Sequence, residues 1–131
     1  MMKKVLISVV DDDESIRDST RTLLRSAGYD VATFESGELF LESGALHETG
    51  CLVLDIRMPG MSGLELQRRV NLSDHGVPVI FVTAHDDKTN RTLATDAGAC
   101  EFFQKPFSAN AFLAAVHTAL KNTASWENPT E

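Results

Sequence analysis

At 131 residues the chain has the length of one domain with one buried core, not of two folded modules. Hydrophobic content of 43% and charged content of 24% exclude a disordered chain, and a formal net charge of -7 excludes a nucleic-acid surface built on clustered Lys and Arg. A basic partner or a metal ion is the expectation that this acidity leaves.

The start Met1-Met2-Lys3-Lys4 imitates the basic end of a signal peptide, but the apolar run after it is six residues long and stops at four acids. No stretch is long enough to cross a bilayer, so a cytoplasmic protein without membrane contact is expected. That first run, 5–10, is nearly continuous in apolar residues, as a strand covered on both faces should be, and it opens into Asp11-Asp12-Asp13-Glu14. Residues 15–27 set Ile16, Thr20, Leu23, Leu24 and Ala27 at helical spacing, with Gly28 as the stop. Residues 29–34 alternate and form an edge strand, and 37–43 a short helix carrying Leu39, Phe40 and Leu41.

A second buried strand, 51–54, ends at Asp55 and runs straight into Ile56-Arg57-Met58-Pro59-Gly60-Met61-Ser62-Gly63. The helix from about 63 to 71 turns Leu66 and Val70 inward. A third buried strand, 77–82, ends at Thr83. The helix at about 88–97 offers only Leu93, Ala94 and Ala97 as an apolar face, so it is lightly anchored and shifts at low cost. Residues 99–104 form the other edge strand and lead into Lys105-Pro106. Ser108 caps a last helix striped by Phe112, Leu113, Val116 and Leu120. The domain is expected over 1–122, with 123–131 as a polar tail.

Alternating strands and helices predict an α/β fold, a five-stranded parallel doubly wound sheet of order 2-1-3-4-5 with five helices. Ligands bind such sheets at the carboxyl ends of the strands, where the winding reverses. That rule gathers Asp11, Asp12, Asp55, Thr83 and Lys105 at one edge. Carboxylates crowded there repel until a cation relieves them, and oxygen-only ligands suit Mg2+, for which Mn2+ can substitute. Asp13 and Glu14 fit equally the start of a helix, where acids oppose the dipole. Lys105 can pair with Asp55 or with a phosphoryl oxygen. Thr83 is either a capping or β-preferring residue or a donor to that phosphoryl group, and small Ala84 leaves an approach path.

Cys51 and Cys100 read as small buried hydrophobes. With strand four between their strands they lie about 10 Å apart, too far to bridge. His47, His75 and His117 read as surface residues, and His85 alone sits near the site.

Taken in order, Val9-Val10-Asp11-Asp12-Asp13-Glu14, Leu54-Asp55-Ile56-Arg57-Met58-Pro59-Gly60-Met61-Ser62-Gly63, Thr83 and Phe103-Gln104-Lys105-Pro106-Phe107 resemble the receiver domain of bacterial two-component response regulators. They are most similar to the nitrogen-fixation-type, FixJ-like receivers. The resemblance implies a flavodoxin-like receiver fold and a signalling domain, not an enzyme, that catalyses its own aspartyl phosphorylation and dephosphorylation. Asp55 would take phosphate from a sensor histidine kinase or histidine phosphotransfer protein, with Lys105 and Thr83 assisting. Asp12, Asp55 and the Arg57 backbone carbonyl would hold Mg2+ directly, and Asp11 partly through water. Thr83 and Phe102 would switch the face of helix four, strand five and helix five. Arg57, Ala84 and His85 would modulate water access, and the Lys105-Pro106 bond would be cis.

That face would control a partner or an output domain, with dimerisation on phosphorylation left open and no direct binding of nucleic acid. FixJ-like regulators usually continue into a helix-turn-helix module that these residues lack, so the chain reads either as a single-domain regulator or as a receiver cut from a longer protein. Two rivals fit less well. A flavodoxin-like electron carrier needs a Ser/Thr/Gly-rich loop where this chain has four acids, and an Asp-nucleophile phosphatase wants an acid at position 57, which is arginine.

Overall fold

The computed structural model of the chain describes residues 5–73, 75–84 and 88–127. Its strands are β1 Leu6–Val10, β2 Asp30–Phe34, β3 Thr49–Leu54, β4 Val79–Thr83 and β5 Glu101–Gln104. All pair in parallel in the order β2-β1-β3-β4-β5, the expected topology. The helices are α1 Glu14–Ser26, α2 Gly37–Ser43, α3 Gly63–Leu72, α4 Lys88–Asp96 and α5 Ala109–Glu127, with a 3-10 turn at Ala45–Glu48.

Neighbouring residues of each strand point to opposite faces, so the continuous apolar runs feed two cores. Val10, Leu54 and Phe81 pack with Phe40, Leu66, Val70 and Ala94 under α2, α3 and α4. Val9, Val53, Ile80 and Val82 pack with Leu24, Phe112 and Val116 under α1 and α5. Fully burying one such side chain stabilises by about 1.5–3 kcal/mol, which is why these strands carry so few polar residues.

Helix starts follow short capping side chains. Asp13 accepts Ile16 N–H at 3.2 Å, Ser36 accepts Leu39 N–H at 3.1 Å, Ser62 accepts Glu65 N–H at 3.2 Å and Ser108 accepts Ala111 N–H at 3.2 Å. After α4, Gly98 takes φ +97°, a left-handed turn that returns Ala99 N–H to Ala94 O at 3.0 Å.

Four expectations need correction. Leu93 does not anchor α4: it is 51% exposed, Ala97 is exposed too, and among the described residues of α4 Ala94 is the buried one. Cys100 is exposed, because it precedes the edge strand β5 instead of lying inside the sheet; Cys51 is buried and both thiols are free. Residue 77 stands outside β4, which begins at Val79. Finally, α5 runs on to Glu127, into the segment read as a polar tail, since nothing in that stretch breaks a helix.

Candidate functional site

The β1–β3 ladder carries its register past the strand ends, with Asp55 N–H donating to Val10 O at 3.1 Å, so Asp55 leaves the sheet beside Asp11. Asp11 is 1% exposed and firmly held. Its Oδ1 takes Asp13 N–H at 2.9 Å, and its carbonyl takes the Arg17 guanidinium at 2.7 Å. Asp12, next along, is exposed. Asp11, Asp12 and Asp55 each bring a carboxylate oxygen within 4.8 Å of the others.

Lys105 arrives from the end of β5. Its N–H donates to Thr83 O at 2.7 Å, tying the two strand ends together, and the Lys105-Pro106 peptide bond is cis. The ammonium reaches across to Asp11 Oδ2 at 2.9 Å and lies 3.6 Å from Asp55 Oδ2. Thr83 is 1% exposed at the end of β4. The five residues gathered from the sequence thus share one sheet edge. Arg57 and Ala84 are exposed at its rim, whereas His85 lies outside the described residues.

Asp55 titrates above the ordinary 3.8. Burial is the largest cause, the Lys105 charge pulls it back down, Asp11 pushes it up, and the Ile56 and Arg57 N–H dipoles lower it further. Asp55 Oδ1 is nonetheless buried with no hydrogen-bond partner among the described residues. A buried carboxylate oxygen without a partner, next to two more carboxylates, is the arrangement that a hard divalent cation satisfies, so the residues present fit Mg2+.

Three supports of the site escaped the sequence reading. Gly63 opens α3 directly against the Asp55 backbone: its N–H donates to Ile56 O at 2.9 Å, and a Cβ there would run into the Asp55 carbonyl. Glu38 of α2 accepts Met61 N–H at 3.1 Å and so grips the loop after Asp55. On the far side, Gln67 and Asn71 of α3 donate to Ala94 O and Ala97 O at 3.1 and 2.9 Å. Their four-residue spacing beside Leu66 and Val70 was the available signal. Phe102 is half-buried, its ring 6.0 Å from that of Phe81 and 4.8 Å from the Arg91 guanidinium.

The family model of the response regulator receiver domain matches residues 7–117. The chain belongs to that family. Receivers generally bind Mg2+ in an acidic pocket, and an acidic cluster, Asp11, Asp12 and Asp55, is present in this chain. The receiver is 41% identical over 116 residues to the response regulator protein TmoT of Ectopseudomonas mendocina, covering 88% of this chain and 53% of that one. Against the transcriptional regulatory protein FixJ of Azorhizobium caulinodans it is 39% identical over 124 residues, 95% of this chain and 59% of that one. The solved structure of the response regulator StyR superposes with a TM-score of 0.88 at 45% identity, over 98% of this chain and 65% of StyR. The receiver spans little more than half the length of these curated relatives. No helix among the described residues is long and apolar enough to cross a membrane.

Proposed function

We propose that Asp55 accepts a phosphoryl group from a sensor histidine kinase or a histidine phosphotransfer protein, with the receiver's own side chains as the catalytic groups. One observation carries this reading: Asp55 Oδ1 is buried without a partner among the described residues, while the Lys105 ammonium bonds Asp11 and stands 3.6 Å from Asp55 Oδ2. The carboxylate that attacks is therefore the one whose own charge is least satisfied.

An Asp55 oxygen attacks phosphorus in line. The O–P bond forms as the P–N bond to the donor imidazole breaks, and the departing nitrogen keeps the electron pair. Held by Asp11, Asp12, Asp55 and the Arg57 carbonyl, Mg2+ would supply Lewis-acid neutralisation of phosphoryl charge. Lys105 then exchanges Asp11 for a phosphoryl oxygen, an exchange that its compact ammonium on a flexible stem allows. Thr83 donates its hydroxyl to the same group, and Arg57 and His85 shield it from water, an effect read as phosphoryl lifetime.

Displacement of Thr83 biases α4 and lets Phe102 turn inward, so that the α4, β5 and α5 face engages an output domain or a downstream protein, a second copy of the chain included. The acidic chain has no direct part in nucleic-acid or membrane binding, and it acts in the cytoplasm. Acetyl phosphate with Mg2+, followed by intact-mass measurement, tests the core of the proposal. Wild type gains one phosphoryl group and Asp55→Asn does not; an equal adduct on Asp55→Asn moves the acceptor to Asp11 or Asp12.

A further inference from the structure

Polar bonds, more than apolar packing, attach α4 to the rest of the receiver. Ala94 is its buried residue, and the methyl group of one alanine removes little surface from water. Two side chains of α3 add to the hold on its C-terminal end. Gln67, 1% exposed, donates Nε2–H to Ala94 O at 3.1 Å; one turn on, Asn71 donates Nδ2–H to Ala97 O at 2.9 Å. Ala97 O lies at the cap of α4, where the helix itself runs out of donors, and Ala94 O, in its last turn, takes Gln67 beside the Ala99 N–H. Two amides spaced four residues apart thus clasp the end of a neighbouring helix.

The two amides differ in what release would cost them. Asn71 is exposed and can turn to water. Gln67 is buried between α3 and α4, and a buried amide must find a partner or pay the full loss of hydration. Helix shifts in switching proteins run to about 1–2 Å. A shift of that size takes Ala94 O out of hydrogen-bond range of Gln67 and leaves the amide stranded.

We propose that Gln67 is a positioning residue of the switch: with Asn71 it holds α4 in the unphosphorylated arrangement and sets how strongly the acceptor site must be engaged before α4 moves. The proposal rests on the reading in which a phosphoryl group at Asp55 displaces α4. Weakening the clasp then favours the displaced state and tightens binding of whatever stabilises it.

The test uses the full chain as wild type, Gln67→Met and Asn71→Ala. Each is titrated calorimetrically with beryllofluoride in saturating Mg2+, and separately with Mg2+ alone. Methionine keeps the length and helix propensity of glutamine while deleting the donor. Ala94 O keeps the Ala99 N–H at 3.0 Å, so that carbonyl is not orphaned. Beryllofluoride should bind about tenfold tighter to Gln67→Met and about threefold tighter to Asn71→Ala, the loss of one buried and one exposed hydrogen bond from the resting state. Mg2+ affinity should stay within about twofold, since the carboxylates are untouched. Unchanged or weaker beryllofluoride binding to Gln67→Met, with only a lowered urea midpoint, means a purely structural bond and overturns the proposal. If Gln67→Met does not fold, Asn71→Ala decides by the same criterion. A wild type that binds no beryllofluoride, or an Asp55→Asn chain that binds it equally well, defeats the acceptor reading instead.

Discussion

Lys105 stands closer to Asp11 than to Asp55: its ammonium is 2.9 Å from Asp11 Oδ2 and 3.6 Å from Asp55 Oδ2. The buried Asp11 carboxylate is therefore paired more closely, and Asp55 keeps an oxygen with no partner among the described residues. A carboxylate held in this way is destabilised in the resting protein, and under the proposed function a cation or a phosphoryl group relieves it.

Asp55→Asn should stabilise the metal-free protein at neutral pH. Burial raises the Asp55 pKa above 3.8, so its folded form favours the proton. Its contribution is full below 3.8 and is lost as pH rises through the folded value, leaving a stability cost at pH 7. Urea unfolding should show a gain on the order of 1 kcal/mol for Asp55→Asn at pH 7, shrinking to nothing near pH 3.5. A gain that persists in acid would point to packing and not to charge.

Lys105→Met should destabilise by about 3 kcal/mol, because it strands Asp11 as an uncompensated buried charge. Mg2+ should restore a larger share of stability to this variant than to wild type, since a cation answers the same repulsion. Thermal melts with and without Mg2+ measure this; equal Mg2+ responses would show that lysine and metal act on different groups.

Gly63→Ala should cost more than about 2 kcal/mol, for its methyl group meets the Asp55 backbone carbonyl, which cannot move without moving Asp55 itself. Gly76→Ala is the control: a Cβ there meets nothing within 4 Å, and its effect should stay within about 0.5 kcal/mol. Phosphoryl uptake should fall with stability for the first variant only.

Titration with a thiol reagent at pH 8 should find one fast thiol, Cys100, and release the second only on unfolding, with the same total with and without reductant. Burial pushes the Cys51 thiol from 9.0 up to about 12. Being raised, it contributes stability that is whole below pH 9.0 and is lost as pH climbs toward about 12. Cys51→Ala should therefore flatten the alkaline limb of the stability curve.

Thr83→Ala should still accept phosphate at Asp55 yet transmit less of it. Beryllofluoride should alter amide exchange across 88–97 and at Phe102 in wild type more than in α1 or α2, and the alanine variant should show a smaller change there. Identical exchange in the two proteins would remove Thr83 from the coupling.

Sequence alone determined the sheet. Short apolar runs such as Val79–Thr83, set between helical stretches, read as buried strands, and parallel winding then brings Asp11, Asp55 and Lys105 together, though Lys105 and Asp11 are 94 residues apart. The cap at Ser108 was equally legible, because it acts on an N–H group three residues away, whereas the caps at Ser36 and Ser62 emerged only with the structure. What α4 rests on was not legible: periodicity marked Leu93 as inward, but it stands in solvent while Gln67 and Asn71 supply the hold. A local pattern reports which face of a helix is apolar, not how far the next helix lies from it. The space at Gly63 and the choice of Lys105 between two aspartates were decided in the same way, by distances between elements that only the packed tertiary structure sets.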